Sequence, residues 1–153
     1  MYLKVEDAIY HKNFNLVVNI KREDFIADLS NFHKDKPAQL KKVKELLQIA
    51  KGATVWALEP FYYIYVENYN GDIESLGVLA HEVSHFVDYA LVGAGIGIGV
   101  GNTEVRAYYL EYILKQCLTE LTDLQIKATV RKGKGKTQGQ YDKGKKTTKE
   151  KTS

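Results

Sequence analysis

Residues 54–90 read TVWALEPFYYIYVENYNGDIESLGVLAHEVSHFVDYA, and the hydrophobic period changes once along them. Up to Val66 the stretch is dense in β-branched and aromatic residues, broken at Glu59-Pro60 and closed by Asn70-Gly71. This pattern predicts two short strands, over about 53–58 and about 61–67, with a hairpin as one way to pair them. From Asp72 the period becomes helical. Asp72 suits an N-cap, and Leu79, Val83, Phe86 and Val87 form an apolar stripe that predicts a helix to about Ala90. On that helix His81 and His85 stand four residues apart, so both imidazoles project from one face, about one turn from each other.

Upstream, FNLVVNI places Phe14, Leu16, Val18 and Ile20 at period two and predicts a half-buried strand. KREDFIADLSNF predicts a short helix. KPAQLKKVKELLQIAK predicts a longer one, with Pro37 in its first turn, Leu40, Val43, Leu46, Leu47 and Ala50 along one stripe, and Gly52 as its stop. Downstream, the glycine-rich GAGIGIGVGN precedes a last helix that starts near Thr103, with Leu110, Ile113, Leu114, Cys117, Leu121 and Leu124 on one stripe. The alternating glycines follow a helix instead of a strand, so they lack the context of a dinucleotide fingerprint, and nucleotide binding is rejected. A flexible connection between two helices is expected there.

A single cysteine, Cys117, leaves neither a disulfide framework nor a thiolate zinc cluster, so a metal site here must use His, Asp and Glu. The N-terminus, MYLKVEDAIYHKNF, lacks an apolar signal region, and no stretch is apolar for long enough to span a bilayer. A cytoplasmic protein with no membrane partner is expected. The net charge of +3 hides a division: residues 131–153 hold nine Lys or Arg against Asp142 and Glu150, a charge of +7, which leaves −4 on residues 1–130. Lacking Val, Ile, Leu, Phe and Trp, this tail cannot offset its ordering entropy and is expected to be disordered. It serves either as a solubilising segment or as a nonspecific polyanion contact, the one nucleic-acid partnership the composition allows.

His81-Glu82-Val83-Ser84-His85 is an H-E-x-x-H pattern. Two imidazoles at this spacing can reach one Zn²⁺ at about 2.0–2.1 Å. Glu82 lies roughly 100° round the helix from His81, where it reaches a water at the metal's open position as general base. A third histidine at the metzincin spacing is missing, because positions 88 and 91 are Asp88 and Leu91. The third ligand is sought on the next helix. Glu104, nineteen residues after His85 in the first helical turn, is the candidate, with Glu111 on nearly the same face as its backup. The bland reading of Glu104 is an acidic residue set against the helix dipole.

HEVSH followed by NTEVRAYYLEYI resembles the gluzincin class of zinc metallopeptidases, in which H-E-x-x-H and a downstream E-x-x-A or similar supply His, His and Glu. More narrowly, it is similar to small single-domain zincin-like proteins encoded by phages and prophages. The resemblance covers about residues 53–116. It implies an α+β fold, a single minimal zincin-like domain over 1–130, with a small, mostly antiparallel sheet packed on the H-E-x-x-H helix and on a C-terminal Glu-bearing helix. It further implies a Zn²⁺ cofactor held by His81, His85 and Glu104, with Glu82 as base, and a protein or peptide substrate lying antiparallel to one strand of the sheet. FYYIYVE or TVWAL would present that edge, the alternative being that both strands are internal core. No segment matches the large second helical domain of thermolysin-like enzymes.

Three neighbouring residues carry paired readings. Asp88 either accepts a hydrogen bond from a ligand imidazole's N–H, fixing its tautomer, or pairs with Arg106. Tyr108, four residues after Glu104, either stabilises an oxyanion or packs, and Tyr109 points elsewhere. At the level of the whole protein, a zincin-like module that binds a host or phage protein without catalysis is the alternative to a peptidase, and a non-peptidase zinc hydrolase is a third option.

Overall fold

The computed structural model describes the backbone of residues 1–137 and the side chains of residues 1–125. The alternating apolar segment upstream forms β2 (Phe14–Val18), and the two aromatic runs form β3 (Gly52–Val55) and β4 (Tyr62–Val66). A fourth strand precedes them, β1 (Tyr2–Val5), which the charged N-terminal stretch did not announce. The helices are α1 (Arg22–Phe32), α2 (Pro37–Leu47), α3 (Ile73–Gly93) and α4 (Thr103–Thr137), with a 3₁₀ turn at Val100–Asn102.

The strands form one sheet in the order β1-β2-β4-β3. β1 pairs antiparallel with β2, and β3 pairs antiparallel with β4, with Thr54 opposite Ile64. β2 and β4 are parallel, with Leu16 beside Ile64. A parallel pair requires a crossover, and α1, α2 and β3 are the chain that supplies it. The α+β class therefore holds, with a mixed sheet in which two of the three pairings are antiparallel.

Helices cover both faces. Phe25 and Leu29 of α1, with Leu40, Val43 and Leu47 of α2, pack on Val17, Ala53, Val55, Tyr63 and Tyr65. α3 packs against β3 and β4 on the other side, burying Leu79, Val83 and Phe86, and Phe86 meets Phe14 with ring centroids 4.4 Å apart. Because both faces are covered, Leu16, Val17 and Val18 are all buried, and β2 is a core strand where alternation predicted a half-exposed one. The stack of Phe25 on Tyr65, 4.6 Å apart and nearly coplanar, is the tightest aromatic contact of the α1/α2 side.

Asp72 caps α3 as its position suggested, accepting from the Ser75 amide at 2.8 Å. The buried carboxylate of Asp7 organises the β1–β2 connection by accepting from the amides of Ile9, Tyr10 and Lys12. It also accepts from the Tyr109 hydroxyl at 2.8 Å, which fastens the first turns of α4 to that connection. Burial, with the Asp7 carboxylate adding to it, pushes the Tyr109 phenol far above its ordinary range.

Residues 1–118 form one compact unit, and the chain from Thr119 forms a second, of which the described part is the continuation of α4. α4 extends to Thr137, past the boundary at 130 expected for the lysine-rich tail; residues 138–153 of that tail lie outside the described residues. Among the described residues no helix is long and apolar enough to cross a membrane.

His33, buried at the end of α1, shares a 2.8 Å hydrogen bond with the Tyr63 hydroxyl. Burial lowers its pKa, Lys36 lowers it further, and Asp35 opposes both. The unfolded chain therefore takes up this proton at higher pH than the folded chain, so stability present above about pH 6.5 is lost as the pH falls. Thermal unfolding between about pH 7.5 and about pH 5.5 will show wild type losing more stability than His33→Gln, which removes the titrating group. Equal losses would place the acid sensitivity elsewhere.

Candidate metal centre

α3 sets His81 and His85 one turn apart on its exposed side, and their rings converge. The two Nε2 atoms are 3.1 Å apart and the ring planes are nearly perpendicular. One ring's N–H here donates to the other ring's lone pair. Nitrogens at this separation, each about 2.05 Å from a common ion, would subtend about 98° at it, within reach of a tetrahedral angle. The pair thus fits a zinc ion in donor type and in spacing.

Glu82, the next residue round the helix from His81, turns toward the sheet and is buried at 6% exposure. The Thr54 hydroxyl of β3 lies 2.9 Å from Glu82 Oε2 and 2.7 Å from the Glu82 carbonyl oxygen, donating to one of these two acceptors at a time. Oε1 has no hydrogen-bond partner among the described residues. Among the described residues the one buried side-chain N or O atom without a partner is Arg22 Nε, so Oε1 keeps contact with solvent. One carboxylate oxygen is held by the sheet while the other is open.

The approach that allows this is made at Gly52. A Cβ there would lie 2.7 Å from Val78 Cγ1, 2.9 Å from Glu82 Cγ and 3.0 Å from the Tyr65 carbonyl oxygen. Gly52, expected as a helix stop, is the first residue of β3 and the point where strand and helix touch. Read from the sequence, Gly52 had another role and Thr54 had none. A lone glycine after a helix is indistinguishable from a cap, and a threonine in a strand is ordinary.

α4 begins at Thr103, where the sequence put it. Asp88 and Arg106 form a two-pronged ion pair, with Nε–Oδ1 at 2.6 Å and an Nη2–Oδ2 bond at 3.1 Å, so of the two readings of Asp88 the pairing with Arg106 is the one observed. The Asp88 carboxylate holds the Arg106 proton still more firmly than usual. This pair ties the first turn of α4 to the turn of α3 that follows His85. Glu104 sits in that first turn, exposed, its carboxylate hydrogen-bonded to no other described side chain. Glu111 is engaged by Lys115 at 2.6 Å, which holds its carboxyl below the usual range. Tyr108 is 68% exposed, while Tyr109 turns inward to Asp7. Among the described residues no three His, Cys, Asp or Glu side chains converge as a group able to hold a metal ion, so the structure brings His81 and His85 together without adding Glu104 or Glu111 to them.

A cavity of about 490 Å³ opens beside His81, lined by Lys51, Gly52, Glu74, Val78, His81 and Glu82 among others. The Lys51–Glu74 ion pair, 2.6 Å and exposed, borders it. β3, which ends at Val55 and so takes in the first two residues of TVWAL and not the 53–58 expected, is the sheet edge beside this cavity, and β4, from the FYYIYVE stretch, is interior. No family model matches the chain, and no curated protein or solved structure shows significant similarity to it.

Replacing Thr54 by Val keeps the shape of the strand and leaves Glu82 Oε2 buried without its donor. Chemical denaturation is expected to show a loss of about 1–3 kcal/mol. Gly52→Ala is expected to cost a similar amount, about 1–3 kcal/mol, because the added methyl meets backbone as well as side chain. Neutral outcomes in both would mean that β3 and α3 are not held together at this point.

Proposed function

We propose that this chain is a zinc-dependent metallopeptidase, with His81, His85 and Glu104 holding the metal and Glu82 acting as general base. The observation that carries the reading is the division of labour on one helix turn: two imidazoles converge on a common point while the intervening carboxylate has one oxygen held by Thr54 and the other open. Zinc bound there would polarise a substrate carbonyl and lower the pKa of water beside it. The chain's own residues do the rest. Thr54 orients Glu82, whose open Oε1 takes a proton from the attacking water and returns it to the departing amine. The edge of β3 offers backbone groups to an extended peptide as an added strand, the mode the gluzincin resemblance implies.

The Asp88–Arg106 pair supports Glu104 as third ligand, since it holds the turn that bears Glu104 against the helix that bears both histidines. Glu111 is the less suitable donor, because coordination there competes with Lys115. The binding-module reading draws on a different observation: Glu82 is buried and hydrogen-bonded as a structural anchor would be.

Metal analysis by mass spectrometry, on protein purified without a metal-binding tag, tests the site. About one zinc per chain is expected in wild type, lost in His85→Ala and Glu104→Ala and kept in Glu111→Ala. Glu82→Gln is expected to keep its zinc and lose about 10²–10⁴ of the cleavage rate on a denatured protein substrate. Wild type that takes up no zinc from excess metal would end the peptidase reading. Zinc without cleavage would favour the binding module.

A further inference from the structure

α3 carries its exposed stripe beyond the two histidines. Tyr89 follows His85 by four residues, as His85 follows His81, so the three side chains rise along one side of the helix. Tyr89 is an aromatic left 48% exposed, and its ring stacks on Trp56 with centroids 5.4 Å apart and planes 21° from parallel. Trp56 in turn stacks on Tyr62 at 4.2 Å and meets Phe86 edge-on at 5.5 Å. The indole is thus fixed by three rings and remains half-buried.

Against it lies a cavity of about 260 Å³, bounded by Val43 and Leu46 of α2, Thr54, Val55 and Trp56 of the edge strand and its exit, and Tyr89. Leu46 is 44% exposed there, although it lies on the stripe expected to face the core. Lys42 is the cavity's one charged lining residue. A space of this size falls short of a drug-sized pocket and suits a single large side chain. Thr54 belongs both to this cavity and to the hydrogen bond that holds Glu82, so one strand residue links the two. The larger cavity that contains His81 lies at the opposite, Gly52 end of the same strand.

We infer that the cavity between Leu46, Trp56 and Tyr89 is a specificity pocket that selects extended peptides carrying a large apolar side chain beside the bond to be cut. The inference rests on the peptidase reading for the word "cut" and on the geometry for the rest. An extended peptide added to the outer edge of β3 places alternate side chains at period two, and the one over Thr54–Trp56 enters this cavity. Apolar and aromatic walls favour Phe or Leu, and Lys42 at the lining disfavours Lys or Arg.

Trp56 is the only tryptophan of the chain, so its emission reports directly on the pocket. Full-length protein, with and without added zinc, is titrated with blocked glycine-based peptides bearing one variable residue, Phe, Leu, Ala, Asp or Lys, and the same peptides are checked for cleavage by mass spectrometry. Phe and Leu peptides are expected to perturb Trp56 at concentrations about tenfold or more below those needed for Ala, Asp or Lys. Leu46→Asp, a change at a partly exposed position, is expected to move the preference toward Lys. Preferential binding without cleavage would leave the pocket standing and count against the peptidase reading. Cleavage indifferent to the variable residue, an Asp preference, or no response of Trp56 to any peptide would overturn the pocket.

Discussion

Everything proposed for this molecule depends on how closely β3 approaches α3. Gly52 lets the strand come near enough that a single methyl group would collide with Val78, Glu82 and the Tyr65 carbonyl. That proximity brings Thr54 within hydrogen-bond reach of both a helix carbonyl and a helix carboxylate. It also decides which way the helix faces. With Glu82, Val83, Phe86 and Val87 pressed onto the sheet, the remaining side of α3 must show His81, His85 and Tyr89 to solvent. The histidine pair and the aromatic pocket are therefore consequences of one packing contact, read at two places along the same helix.

The sheet has its own logic, set by β4. Tyr63 and Tyr65 point to the α1/α2 side, and their hydroxyls end on His33 and on the Ile20 carbonyl. Tyr62 ends on Glu59 and turns its ring to Trp56. A buried tyrosine requires a partner for its hydroxyl, and these three find partners at the sheet's margins, where polar groups are available. The strand can thus carry three tyrosines among its five residues, packed on both faces, and still leave no phenol stranded.

Much of this was legible in the chain and some was not, for identifiable reasons. The helical period of 73–90, the Asp72 cap and the start of α4 at Thr103 follow from local pattern, because caps and i,i+4 spacing are local physics. The Asp88–Arg106 pair instead joins two helices and stood in the sequence as one of two readings of Asp88. β1 was missed because YLKV is four residues long and its one fully buried side chain is Val5, too little for a period to show. The parallel pairing of β2 with β4 was missed because pairing partners separated by two helices leave no local mark. The role of Gly52 was missed for the same reason: its neighbours at the contact, Val78 and Glu82, lie on a different element. The convergence of His81 with His85 was legible, while closure of a third ligand from α4 depends on the geometry of a connection, residues 94–102, that has no repeating pattern to read.

The burial of Glu82 bears on which reading of the site is the stronger. Taking a carboxylate out of water is costly, and a buried one is tolerated when its oxygens are well supplied with donors. Asp7 shows what this fold does when a carboxylate is there for structure: three backbone amides and a tyrosine hydroxyl converge on it. Glu82 has a single shared hydroxyl and one oxygen left open to solvent. If its task were only to join α3 to β3, an apolar side chain filling the same space would do so at lower cost. A carboxylate under-supplied with donors, on the same turn as two converging imidazoles, is the weaker anchor of the two, and the proposed role gives its open oxygen a use. The contrast between the two buried acids of the same small domain is the internal argument for chemistry at this helix.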